Sequence, residues 1–152
     1  MKTLTPELKA YYMADFVDNV LECKDEFWKL DEGLKDLLVK INVRDNIQTL
    51  YSRKRTYVND KNRTSFLWVL ISKDVTNAKM NNFIADARKK LPDFECVFAK
   101  DIVQNRDMNI KMDCINDPKY FENGAIMISL TTPVQFNHER FWSIIEKHLT
   151  TF

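Results

Sequence analysis

The strongest residue bias in this chain lies between Tyr51 and Ser65. There Arg53, Lys54, Arg55, Lys61 and Arg63 stand against the single acid Asp60, a local net charge of +4. Guanidinium and ammonium groups neutralise phosphates or acidic side chains, while Tyr51 and Tyr57 supply rings that stack on unpaired bases. The same residue types also suit a plain solvated loop. The segment is therefore a candidate contact surface for RNA, single-stranded DNA or an acidic protein partner, with Arg53, Lys54, Arg55, Tyr57, Lys61 and Arg63 as its contact residues.

Other chemistries have thinner support. Only His138 and His148 occur, ten residues apart, so on a helix they project in different directions. They are expected to be one surface histidine and one placed near a helix C-terminus, with no catalytic role. Cys23, Cys96 and Cys114 form no C-x-x-C pair and suit small buried hydrophobes in a reducing compartment. Gly33 and Gly124 are the only glycines, which excludes Gly-rich phosphate loops, since each needs several residues without Cβ. Pro92-Asp93 followed by Asn109-Ile110-Lys111 resembles the Pro-Asp…(Asp/Glu)-x-Lys motif of restriction-endonuclease-like nucleases, in which two acids hold Mg²⁺. The chain departs from it at Asn109, leaving Glu95 as the substitute carboxylate. Arg88-Lys89-Lys90 sits where a helix ends, and cations there complement the macrodipole.

Hydrophobic spacing supplies the elements that would hold these residues. Thr5-Pro6-Glu7 is a helix start, and Leu8, Tyr12, Phe16, Val20 and Cys23 continue at helical spacing. A second helix is predicted from Lys29 to Tyr51, with Leu34, Leu37, Leu38, Ile41, Ile47 and Leu50 on one face. Thr56–Val58 is expected to pair with the strand Phe66–Ser72 across the turn Asn59-Asp60-Lys61-Asn62. Asp74 or Thr76 caps a helix reaching about Leu91, and Pro92 stops it. Strands are predicted at Phe94–Val103, Met108–Ile115 and Gly124–Leu130. Thr132-Pro133-Val134-Gln135 then opens a last helix with Pro133 at its first position, running to Leu149 with Phe141, Trp142, Ile145 and Leu149 inward. The adjacent aromatics Phe27-Trp28, Tyr120-Phe121 and Phe141-Trp142 point apart, so one of each pair is free to dock elsewhere.

These elements make an α+β domain: a mostly antiparallel four- to five-stranded sheet packed with helices, preceded by an N-terminal helical pair. Residues 1–152 read as one domain, with 1–50 as its helical part and 51–152 as its sheet-containing part. Residues 1–50 carry ten acids and seven bases, so the acid and the base of a chain with net charge +1 lie in different parts. From Thr76 to Leu149 the order α-β-β-β-α is similar to double-stranded-RNA-binding domains. The Lys-rich start of that family's last helix is replaced here by Pro133-Val134-Gln135-Phe136. With the preceding hairpin, the order is similar to profilin-like and roadblock-type adaptor domains, which implies action through protein contacts.

The start of the chain has no apolar signal-peptide core, and the longest apolar run, Phe66 to Ile71, is far short of the ~20 residues that span a bilayer. Abundant Asn and Lys beside scarce Gly and Pro suggest an AT-rich coding genome, viral, phage or bacterial. The expected function is a non-enzymatic, cytoplasmic macromolecule-binding or regulatory protein. It acts through a protein–protein interface, without membrane, cofactor or metal, and a homodimer through the apolar N-terminal helices is compatible. The alternative is a nucleic-acid-binding module using the basic 51–65 hairpin. A degenerate metal-dependent nuclease is third.

Overall fold

The computed structural model describes residues 4–22, 33–57, 61–98 and 125–152. Thr5 Oγ1 accepts from Leu8 N at 3.2 Å, and with Pro6 in the first turn it starts helix α1, Pro6–Phe16. The helix continues as one π-helical turn, Val17–Leu21, closed by Glu22 N donating to the Val17 carbonyl at 2.9 Å. Gly33 opens α2, Leu34–Asn42, from a φ of 85° that a side chain would strain. Leu34, Leu37, Leu38 and Ile41 form its buried stripe.

The helix predicted to Tyr51 stops at Asn42, and Ile47–Tyr57 is instead strand β1. Ile47 and Leu50 fit both periods, and tertiary pairing decides between them. Asn42 closes the intervening turn: its Oδ1 accepts from Thr49 N at 2.8 Å and its Nδ2 donates to Thr49 Oγ1 at 2.7 Å. The sheet therefore begins ahead of the composition change at Tyr51.

Strand β2, Arg63–Ile71, pairs antiparallel with β1 from Ile47↔Ile71 to Tyr57↔Arg63. The expected hairpin pairing of Thr56 thus extends along the whole of β1. Helix α3, Asn77–Lys90, is capped by Thr76 Oγ1 accepting from Lys79 N, and ends before Pro92. Strands β3, Phe94–Phe98, and β4, Ile126–Thr132, complete a described antiparallel sheet of order β1-β2-β4-β3. Helix α4, Gln135–Leu149, begins two residues after Pro133, so proline is not its first residue; Thr132 Oγ1 accepts from Val134 N in the turn before it. The fold is α+β. Cys23, Phe27, Trp28, the predicted strand at 108–115, Cys114, Tyr120, Phe121 and Gly124 lie outside the described residues.

Alternation in the strands divides the core. Leu67, Val69, Ile126, Ile128 and Leu130 face α2, α3 and α4. On the opposite face, Leu70 packs with Leu4, Tyr12 and Ala125, and Trp68 with Met127. Helix α1 serves both, with Phe16 in the main core and Tyr12 in the second cluster. Both members of the Phe141-Trp142 pair are buried, because Phe141 meets Phe94 while Trp142 reaches β1.

Two polar clasps hold helices in place. Lys9 Nζ donates to the carbonyls of Asn42 at 2.7 Å and Ile47 at 2.6 Å, tying α1 to the α2–β1 turn. Burial pulls its pKa down to about 8, an effect partly offset by Asp45. Asp86 on α3 accepts from His148 Nε2 at 2.8 Å and takes Lys90 at 2.9 Å, tying α3 to α4. Those hydrogen bonds, to His148 first and Lys90 second, hold its carboxyl well below the usual carboxylate range.

Each clasp has a pH signature. Asp86→Asn is expected to cost about 1–2 kcal/mol in urea unfolding at pH 7. Because the folded carboxylate has the lower pKa, that deficit shrinks as pH falls below about 4, where the wild type progressively loses its advantage. For Lys9 the sign is opposite. The folded state favours the neutral amine, so wild type gains stability relative to Lys9→Met as pH rises from about 8 to 10. Unfolding curves of both pairs across pH check these outcomes.

Candidate functional site

The basic segment begins on β1, at one edge of the described sheet. Register shifts occur between Thr49 and Tyr51 and between Arg53 and Thr56. In the first, Leu50 is an extra residue. In the second, Lys54 and Arg55 stand against the single residue Ser65 of β2. Such bulges bend an edge strand and re-aim its side chains.

The second bulge is pinned from the helical side. The Lys54 carbonyl accepts from Trp142 Nε1 at 2.9 Å and from Ser65 Oγ. Ser65 Oγ also meets His138 Nδ1 at 2.7 Å, and His138 Nε2 donates to the Thr132 carbonyl at 2.9 Å. Thr132 O can only accept, so Nε2 carries a proton. In neutral imidazole the single Ser65 hydroxyl proton then serves either Nδ1 or Lys54 O. This cluster links β1, β2, β4 and α4.

His138 is 1% exposed, which overturns its expected surface position. The signal was available in the spacing, since 138, 141, 142, 145 and 149 share the inward face of α4. Ser65 is also fully buried, so its contact with histidine positions backbone rather than presenting a nucleophile.

The bulge divides the basic run. Arg53 lies opposite Phe66 and lines a groove of about 370 Å³ between β1 and the end of α1. Phe16, Val20, Leu38 and Leu50 make its apolar walls, while Asp15 and Asn19 lie across from Tyr51 and Arg53. Asn19 Nδ2 donates to Asp15 Oδ1 at 2.7 Å, fixing that acidic wall across the π-helical turn. Tyr51 is 38% exposed, and its ring lies 5.5 Å from that of Phe66 and 6.5 Å from that of Trp68.

Lys54 and Arg55 instead line a separate hollow of about 220 Å³ with His138, Glu139 and Trp142. A Cβ added at Gly33 would lie 3.8 Å from Lys54 Nζ, so the lysine reaches back to the start of α2. Tyr57 ends β1 opposite Arg63. Lys61 is exposed just before β2, and Arg63 is half-buried with Nη1 donating to the Asn62 carbonyl at 3.3 Å. Of the expected contact residues, Arg53 thus lines one groove and Lys54 and Arg55 another hollow, while Lys61 and Arg63 lie just before and at the start of β2.

For the nuclease motif, Asp93 and Glu95 are both exposed, and Asn109 and Lys111 lie outside the described residues. Among the described residues, no group of three or more His, Cys, Asp or Glu is placed to hold a metal ion. Cys96 is half-buried on β3, and burial pushes its thiol up to about 11. No helix among the described residues is long and apolar enough to cross a membrane. No family model matches the chain, and neither a curated protein nor a solved structure does.

The shared carbonyl makes a measurable coupling. Trp142→Phe and Ser65→Ala are each expected to cost about 1 kcal/mol in denaturant unfolding. Because both donors serve Lys54 O, a double-mutant cycle should give a coupling of about 0.5 kcal/mol or more. Additive effects would mean the two donors act independently.

Proposed function

We propose that this is a non-enzymatic binding protein whose partner, another protein, docks along the outer edge of β1 beside α1. The groove between them supports this reading, because it combines apolar walls with Tyr51, Arg53 and Asp15 at its rim. Tyrosine and arginine are enriched where proteins meet, and grooves beside a sheet edge receive extended segments. Tyr51 is backed by Phe66 and Trp68, so its ring is already held and loses little freedom on binding. Arg53 and Asp15 give the groove both signs of charge, which suits a peptide better than a uniformly anionic polymer.

A nucleic-acid reading keeps one favourable observation, the row of Tyr51 and Phe66 beside Arg53 on one sheet face. The division of the basic run weighs against it, since Arg53 lines the groove while Lys54 and Arg55 line a separate hollow with Glu139. Residue usage favours a cytoplasmic protein of viral, phage or bacterial origin.

The decisive experiment is capture from nuclease-treated lysate, followed by titration of the purified captured protein. Tyr51→Ala and Arg53→Glu are expected to weaken that binding about tenfold or more, with the far-ultraviolet spectrum unchanged. The reading fails if nuclease abolishes capture and the purified protein binds single-stranded RNA with steep salt dependence, lost in Tyr57→Ala.

A further inference from the structure

Charge is sorted around helix α4. Its acids Glu139 and Glu146 turn toward the β1 and α2 side, where Glu139 shares a hollow with Lys54 and Arg55 and Glu146 pairs with Lys40 at 3.0 Å. Its bases Arg140 and Lys147, one residue further on and also seven apart, turn toward α3. There they line a hollow of about 350 Å³ with Lys90, Ser143 and Ile144, and no acid lines it. Seven residues are nearly two turns, so each pair lies on one stripe of the helix.

The macrodipole accounts for Lys90 and Lys147, which sit in the last turns of their helices. It does not account for Arg140, the sixth residue of α4. The Arg140 guanidinium lies 4.9 Å from the centre of the exposed Phe136 ring, an arrangement that holds the fork in place. Lys90 and Lys147 converge on one carboxylate, with Nζ atoms 2.9 Å from Asp86 Oδ1 and 3.5 Å from Asp86 Oδ2. That carboxylate already accepts from His148 at 2.8 Å. Two ammoniums and an imidazole thus share one carboxylate, and the three donors of each ammonium exceed what that single acid can accept.

We propose that the hollow between the end of α3 and the Arg140–Lys147 stripe of α4 binds a phosphoryl group. Arg140 supplies the planar fork that matches phosphate oxygens, and Lys90 and Lys147 supply point charges. Ser143 adds a hydroxyl donor. Asp86, paired with both lysines, is a competing internal anion. A free oligophosphate and a phosphomonoester lipid headgroup share this chemistry. The site is independent of the β1 groove.

The test is calorimetric titration of the full chain with inorganic pyrophosphate at low salt, alongside flotation with vesicles of phosphatidylcholine with and without phosphatidic acid. Saturable binding is expected in one or both arms, and the arm that responds identifies the source. Arg140→Gln and Lys147→Gln, both at exposed positions, should each weaken binding about tenfold. Asp86→Asn should tighten it severalfold by releasing both lysines, an effect that a merely structural role of Asp86 would not produce. Arg44→Gln, at an exposed position outside both hollows and the groove, should leave this binding unchanged. Absence of binding in both arms overturns the proposal, as does binding that falls equally in Arg44→Gln and Arg140→Gln, which would mark unspecific charge attraction.

Discussion

The carbonyl of Lys54 is the point on which the edge of this sheet depends. It belongs to a bulge, so strand pairing alone does not place it, and two side chains from behind the sheet take it instead. Trp142 brings the helical layer to it, and Ser65 brings the neighbouring strand. His138 extends the connection to β4 through Thr132. An unpaired buried carbonyl is costly, so satisfying it from α4 and β2 adds a polar tie to the apolar contacts that hold α4 against the sheet. The outcome shows at the surface, where Arg53 lines the groove while Lys54 and Arg55 line the separate hollow beside α4.

The first half of the same edge is handled differently. Lys9 and Asn42 occupy the Ile47 carbonyl and the Thr49 amide, groups that an edge strand would otherwise offer to another chain. The edge is thus closed where α1 and α2 meet it and carries charge further along. Charged side chains on an edge strand also deter uncontrolled pairing. The basic run therefore has a structural use that holds whether or not a partner binds there.

Electrostatics repeats this division on the helical layer. One stripe of α4 is acidic and meets the cations of β1 and α2, while the adjacent stripe is basic and meets α3. Asp86 gathers His148, Lys90 and Lys147 and keeps the basic stripe from repelling the end of α3. Two surfaces of different chemistry result, an amphipathic groove of mixed charge at β1 and a cationic hollow between α3 and α4.

Local chemistry was enough for the elements that carry their own signals. Thr5-Pro6 and Thr76, the latter one of two candidate caps with Asp74, start helices because a hydroxyl accepts from an amide three residues on, and the run from Phe66 to Ile71 reads as a strand because it is apolar throughout and mostly β-branched or aromatic. The α+β class follows from that order of elements. Ile47–Leu50 was different: its apolar spacing fits a helix or a strand, and only pairing with β2 and the Asn42 side chain chose the strand. The burial of His138 was written in its spacing from Phe141 and Trp142, but its partners were not, because Ser65, Thr132 and Lys54 meet it only once the sheet has formed. The same holds for the basic segment. Composition determined that Arg53, Lys54 and Arg55 would be charged and accessible to a hairpin, whereas a bulge decided which way each one points. A bulge is a mismatch in length between two strands, and no property of one strand alone can express it.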